Sequence, residues 1–180
     1  MNRIYWKQIA ACVLINLSWS SLTYACEDRS SDIKVFLAVP DNRGIITTGG
    51  SSHLSVVIMN NSSEPVRLFN ASYSFGYYNV KLEWIDAQGN TGIVKPKQIA
   101  WNKNIPANTT LLPGEVKIHE IEASDGTWEG WPEGRKPQGI PLTVKAIYEE
   151  KADTFFKMDV WCGKAESDPI KLTIYRLPSD

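Results

Sequence analysis

Short segments in which apolar and polar residues alternate run through the chain from residue 32 to its end. A period of two places successive side chains on opposite faces of a β-strand, so each segment predicts a half-buried strand. In the first of them, Ile33, Val35 and Leu37 share one face and Lys34 lies opposite. The segments lie at residues 33–39, 54–58, 66–69, 80–84, 116–119, 143–148, 156–160 and 170–174.

Turn-forming residues separate these segments, with Asn, Gly, Pro or Ser at residues 60–63, 86–90 and 112–115. Beyond residue 25, no segment shows a sustained helical period. The chain is therefore predicted to be all-β, an antiparallel β-sandwich of about seven to nine strands. Two stretches, residues 95–110 and 125–141, resist strand assignment. Loops of that length are uncommon in a compact domain and are often functional.

The first 25 residues have the layout of a signal peptide. Arg3 and Lys7 give a basic start, residues 9–17 are apolar, and Ala25 precedes Cys26. Because Asn16 and several serines interrupt the apolar run, it is too short and too polar for a membrane-spanning helix. We predict a signal peptide at residues 1–25, cleavage after Ala25, and one domain at residues 26–180 in the periplasm or outside the cell, without a transmembrane helix in the mature chain.

Two cysteines, Cys26 and Cys162, remain once the leader is removed. In an oxidising compartment, two cysteines most simply form one disulfide, here closing a very long loop. The alternative is a lipid-anchored protein in which Cys26 carries lipid and Cys162 is a free thiol. Residues 23–25 match a lipoprotein leader poorly, because Leu22 lies one position too early. The sequence favours the disulfide.

Composition excludes some classes of function. The mature chain has 155 residues, enough for one domain with its own core, and carries 17 basic and 20 acidic residues. This balance, without any run of Lys or Arg, predicts no nucleic-acid partner. There is no Gly-x-Ser-x-Gly nucleophile motif, and His53 and His119 lie far apart in sequence. We predict no enzyme activity, no cofactor and no metal site, and we interpret His119 with its glutamate neighbours as a solvated strand face.

Residues 54–69 (LSVVIMNNSSEPVRLF) and Pro113-Gly114-Glu115 resemble exported bacterial immunoglobulin-like sandwiches of unassigned role. The same unit is similar to the small bacterial proteinase-inhibitor domain of the intracellular subtilisin-inhibitor type. Residues 160–175 (VWCGKAESDPIKLTIY) resemble the closing hairpin of such sandwiches, although Cys162 stands where Thr is frequent. The resemblance covers about the last 130 residues. It implies an immunoglobulin-like fold and says little about function.

The best candidates for a binding site are aromatic residues in the two long stretches. Trp128 and Trp131 lie among glycines and charges close to Arg135, and Trp101 lies in the other stretch. Large aromatics beside Arg are typical of recognition surfaces. The alternative interpretation is that both loop tryptophans fold back and cap one end of the sandwich.

The sequence thus predicts a non-enzymatic protein-binding domain in the cell envelope or outside the cell. Within that class, we favour an inhibitor or immunity-type protein that blocks another protein through its loops. Two alternatives stay open. One is a structural or accessory domain of the cell envelope, and the other is a carbohydrate-binding module, since tryptophan also stacks on sugars.

Overall fold

The computed structural model describes residues 29–40, 43–48, 52–101, 104–123, 126–133, 139–151 and 158–176. A short 3-10 helix at Ser30–Asp32 precedes the first strand, and one helical turn, α1, lies at Ser74–Tyr77. The strands are β1 (Ile33–Ala38), β2 (Ile45–Thr48), β3 (His53–Asn60), β4 (Val66–Phe69), β5 (Val80–Asp86), β6 (Thr91–Pro96), β7 (Asn108–Leu111), β8 (Val116–Glu122), β9 (Trp128–Glu129), β10 (Ile140–Glu150), β11 (Gly163–Glu166) and β12 (Ile170–Arg176).

These strands form two main sheets and one small ribbon. The three-stranded sheet has the order β1-β3-β8, and the seven-stranded sheet has the order β2-β12-β10-β5-β6-β9, with β11 also paired to β10. Strands β4 and β7 pair only with each other. Every pairing is antiparallel except that of β2 with β12. The predicted all-β antiparallel sandwich is confirmed.

The two main sheets bury their facing sides in one hydrophobic core. On the three-stranded sheet, Val35 of β1 and Val56 of β3 are buried. Leu82 and Leu142 belong to the same cluster from the other sheet. Fully burying one such side chain stabilises the fold by about 1.5–3 kcal/mol. The predicted alternation of β1, β3 and β5 is therefore the pattern that builds the core.

Strand β8 forms where it was predicted, but its faces are reversed from the expected ones. Val116 and Ile118 point outward and are 49% and 56% exposed. Lys117 and His119 point inward, because they pair in register with Ile58 and Val56, whose side chains are fully buried. The interpretation of His119 as part of a solvated face is wrong. Alternation alone identifies two faces without saying which one is inside.

The strand predicted at residues 156–160 is not formed in its described part, because Met158–Val160 has no strand pairing. The chain instead pairs a few residues later, in β11. The described residues form twelve strands, against a predicted seven to nine; seven of them have six or more residues and the remaining five are shorter. Both long stretches contain short strand segments. The first stretch includes the end of β6 at Pro96 and the start of β7 at Asn108, and the second includes β9.

Residues 1–28 lie outside the part of the chain that the structure describes, so the leader and Cys26 stay predictions. One core cluster extends from Ile33 to Ile174. Among the helices of the described residues, none is long and apolar enough to cross a membrane.

Candidate functional site

Trp128 and Trp131 are buried, with only 9% and 6% of their surfaces exposed, and both belong to the hydrophobic core cluster. The binding prediction assumed that their rings were available to a partner, and this assumption is wrong. The alternative, in which both tryptophans fold back onto the sandwich, describes their positions. Burial follows from β9, whose Trp128 pairs with Pro96 at the edge of the seven-stranded sheet.

The loop that contains Trp128 and Trp131 packs closely against the sheet, and two glycines make the close contacts possible. Trp84 of β5 lies over Gly92, where an added Cβ would come within 2.4 Å of the indole ring. Its indole nitrogen donates a hydrogen bond of 2.9 Å to the carbonyl oxygen of Gly130. Gly130 has a φ of +90°, and an added Cβ would lie 1.9 Å from the Ile93 carbonyl oxygen. Only glycine fits there, so this loop is part of the packed structure.

Trp101 is half-buried, and its ring meets that of Tyr77 edge to face at 5.5 Å. Tyr77 also packs against Tyr78 at 4.9 Å, and Phe75 packs against Phe69 at 5.4 Å. Burial is the main reason why the pKa of Tyr77 is raised. Arg135 lies outside the described residues. The four predicted contact residues are therefore not shown to form one surface.

A concave feature lies on the outer face of the seven-stranded sheet, with a volume of about 790 Å³. Below, this feature is called the groove. Its floor contains Ile85 of β5 and Ile93 of β6, which are 44% and 46% exposed. The two isoleucines are diagonal neighbours, because Ile85 pairs with Thr91 and Ile93 pairs with Glu83. The remaining lining residues are Glu83, Trp84, Thr91, Gly92, Lys95, Thr143, Lys145 and Pro169.

Ion pairs border the groove. The Lys145 ammonium lies 2.7 Å from a Glu166 carboxylate oxygen and 3.2 Å from one of Glu83. Hydrogen bonds to these two carboxylates raise the pKa of Lys145, and the bond from Lys145 is the largest cause that lowers the pKa of Glu166. Lys95 and Glu129 form a looser pair at 3.5 Å. Exposed pairs of this kind contribute at most about 1 kcal/mol each, so a partner can replace them at little cost.

A second candidate is a buried polar cluster around Glu150, which is 2% exposed. One carboxylate oxygen accepts the Phe69 backbone N–H at 3.0 Å, and the other accepts the Tyr148 hydroxyl. Lys117 donates to the Phe69 carbonyl oxygen at 2.9 Å. Burial raises the pKa of Glu150 to about 7, against the hydrogen bonds and the Lys117 charge that lower it. Burial also raises the pKa of Tyr148 and lowers that of Lys117.

His119 lies two residues along the same inner face from Lys117. Burial, assisted by the positive charge of Lys117, lowers the His119 pKa to about 4, so the imidazole is neutral at pH 7. Glu120 and Glu122 point to the opposite side of β8 from His119. No group of three or more His, Cys, Asp or Glu residues is placed to hold a metal within the described parts of the chain.

The two candidates differ in what they can do. Shifted pKa values are common at active sites, yet a substrate has no access to a carboxyl group as buried as that of Glu150. We interpret the polar cluster as structural. The groove is open to solvent and rests on rigid strands, so it can bind a ligand. Sequence reasoning missed it, although the adjacent apolar pairs Trp84-Ile85 and Ile93-Val94, in which one residue of each pair must point outward, were a usable signal.

Cys162 is buried at the end of the segment that precedes β11, with 9% of its surface exposed. Its predicted disulfide partner, Cys26, lies outside the described residues. Arg29, the first described residue, contacts the residue that precedes Cys162. Its carbonyl oxygen accepts a 2.7 Å hydrogen bond from the Trp161 indole.

The chain matches no protein-family model, no curated protein and no solved structure.

Proposed function

We propose that this chain is an exported, non-enzymatic protein-binding domain, which holds an extended segment of another protein in the groove. The observation that carries the proposal is the pair of exposed isoleucines, Ile85 and Ile93, in a groove bordered by exchangeable ion pairs. Apolar side chains exposed together on a rigid surface, with a charged rim, are typical of protein-binding sites.

The occupant that fits is an extended polypeptide with an apolar side chain for the isoleucine floor and a carboxylate for Lys95. An extended chain suits the shallow face of a sheet, and Lys95 has the loosest pair at the rim. Lys145 is already held between two carboxylates. A partner carboxylate therefore gains most by meeting Lys95.

Carbohydrate binding has less support. A sugar ring stacks on the exposed face of an aromatic side chain, usually tryptophan. The five tryptophans in the described residues, at positions 84, 101, 128, 131 and 161, are buried or half-buried. A structural role in the cell envelope would use the same exposed sheet faces. The two roles therefore differ in the protein that is bound and not in the surface that binds it.

An inhibitor or immunity role follows if the bound segment is one that the partner needs free. The blocking mechanism is then steric: a rigid sheet covers the segment with little backbone movement. This places the contact on a sheet face, whereas the sequence interpretation placed it on loops.

We also propose the Cys26–Cys162 disulfide that the sequence predicts. The hydrogen bond from Trp161 to Arg29 holds residue 29 beside residue 161, and the Trp161 backbone N–H donates to Arg67 at 2.8 Å. Three residues reach at most about 10 Å, so the length of chain between positions 26 and 29 permits the pairing. The geometry of the described residues is therefore compatible with the pairing.

Site-specific photo-crosslinking in the cell that makes the protein tests the proposed function. A photoreactive amino acid replaces Ile85 or Ile93 in the whole chain, which carries a C-terminal tag. We expect one discrete protein adduct from both positions. The matched control is Ile105, another exposed isoleucine, which does not line the groove.

The affinity of the captured partner is then measured for an Ile85→Asp, Ile93→Asp double variant and for Ile105→Asp. We expect the double variant to lose at least about tenfold in affinity, which corresponds to about 1.4 kcal/mol, and Ile105→Asp to bind normally. The proposal is wrong if the groove positions give no adduct, or if the Ile105 position gives the same adduct with equal yield.

A further inference from the structure

The outer face of the three-stranded sheet carries an apolar row that crosses all of its strands. Phe36 of β1 pairs with Val57 of β3, and Val57 pairs with Ile118 of β8. Phe36 and Ile118 are 46% and 56% exposed, and Val116, two residues before Ile118, is 49% exposed. This surface, called the apolar face below, lies on the opposite side of the sandwich from the groove.

Two opposite charges lie at diagonal corners of the apolar face. Lys34 is two residues before Phe36 on β1, and Glu120 is two residues after Ile118 on β8. Val57 lies midway between these corners, since Lys34 pairs with Met59 and Glu120 pairs with Ser55. Strand spacings place each corner about 8 Å from Val57.

This arrangement is complementary to itself. A two-fold axis in the plane of the face, passing over Val57 at right angles to the Lys34–Glu120 diagonal, exchanges the two corners. Lys34 of each copy then meets Glu120 of the other, and the apolar rows cover one another. Isologous interfaces require this kind of self-matching, because the same patch serves both subunits.

We propose that the apolar face is the interface of a symmetric homodimer in which Lys34 of each copy pairs with Glu120 of the other. A face of three strands and about five residues per strand covers roughly 300 Å² in projection. Two such faces bury roughly 600 Å² in all, which is below the standard size, and interfaces this small are weak and transient. The dimer therefore forms in a concentration-dependent way.

Analytical ultracentrifugation of the purified protein, at concentrations from about 5 µM to 1 mM, measures this association. We expect the wild type to shift from monomer to dimer over that range. Ile118→Ser should stay monomeric throughout, because it removes an exposed apolar contact. Ile105→Ser, the matched change at an exposed isoleucine outside both the apolar face and the groove, should dimerise like the wild type. Circular dichroism confirms that each variant is folded.

Charge reversal gives the decisive comparison. Lys34→Glu and Glu120→Lys should each raise the dissociation constant at least about tenfold, since each places like charges together twice in one dimer. Mixing these two variants should produce a heterodimer, because both cross-pairs are then opposite in sign. The Lys34→Glu, Glu120→Lys double variant should dimerise within about threefold of the wild type.

A wild type that stays monomeric at the highest concentration overturns the proposal. Dimerisation that is unaffected by Ile118→Ser places the interface elsewhere and overturns it as well. Failure of the two charge variants to combine contradicts the two-fold pairing of Lys34 with Glu120. None of these outcomes bears on binding at the groove, which uses the other sheet.

Discussion

Glu150 and His119 are two buried ionisable residues whose pKa values are shifted in opposite directions, Glu150 up to about 7 and His119 down to about 4. Both shifts therefore favour the neutral form of the group. Burial is the largest cause of each shift, and the Lys117 charge adds to that of His119. Their ordinary pKa values are near 4.5 and 6.5, so the two shifts have opposite consequences for stability.

The stability that Glu150 contributes is present below pH 4.5 and is lost as the pH rises through 7, because its folded pKa is raised. The stability that His119 contributes is present above pH 6.5 and is lost as the pH falls through 4, because its folded pKa is lowered. Each effect is on the order of 3 kcal/mol. Between about pH 4.5 and 6.5 the two effects oppose one another.

We predict that removing either group makes the free energy of unfolding depend more steeply on pH, because the opposing effect of the other group is then no longer cancelled. In Glu150→Gln, the free energy of unfolding should rise with pH between 4 and 6.5, by up to about 1.4 kcal/mol per pH unit. In His119→Gln, it should fall between pH 4.5 and 7. Urea unfolding followed by tryptophan fluorescence at several pH values measures both, with the wild type as the flatter reference. Two variant profiles parallel to that of the wild type would contradict the shifts.

At the level of strands, the sequence predicts the sandwich well because most strands bury one apolar face. Ile33, Val35 and Leu37 show this for β1, and all three are buried. The prediction of faces fails at β8, where the inner side carries the polar Lys117 and His119. Lys117 is tolerated on the inner side because its ammonium donates a hydrogen bond to the Phe69 carbonyl oxygen of β4. That contact joins residues far apart in sequence, so the local pattern could not reveal it.

The candidate site was less predictable than the fold, for a related reason. The sequence marks Trp128 and Trp131 as unusual, but not whether they point toward solvent or the core. In the structure both tryptophans point toward the core. Gly130, which lies between them, has no side chain, so the loop can pack directly against the backbone of β6 at Ile93. The groove depends on Ile85 and Ile93 from adjacent strands, and only the strand register makes them neighbours.

We predict that two isoleucines of β8 differ sharply in their contribution to stability. Ile121 is fully buried, whereas Ile118 is 56% exposed on the opposite face. Ile121→Ala should therefore reduce the free energy of unfolding by about 2–5 kcal/mol, and Ile118→Ala by less than about 1 kcal/mol. Chemical unfolding at low micromolar protein, where self-association does not contribute, measures both. Similar losses at the two positions would mean that the faces of β8 are not as described.

For the molecule as a whole, the segment before β1 is attached to the segment before β11. Trp161 joins them, since its indole donates to Arg29 and its ring stacks on Tyr148 at 5.6 Å. A Cys26–Cys162 disulfide would reinforce the same connection covalently. It would close a loop that contains most of the mature chain, and the chain-entropy model assigns such a closure about 3–5 kcal/mol.

We predict that the protein taken from its own compartment and denatured has no reactive thiol until it is reduced. The mass after alkylation should stay unchanged before reduction and should show two modified cysteines afterwards. Cys162→Ser should lower the free energy of unfolding by about 3–5 kcal/mol under oxidising conditions and by little under reducing ones. Trp161→Phe is the control: it removes one hydrogen bond and part of a fully buried indole, so it should destabilise the protein equally under oxidising and reducing conditions and leave the thiols paired. Two thiols modified before reduction would disprove the disulfide, and one modified thiol with an added lipid mass would establish the lipid-anchored form instead.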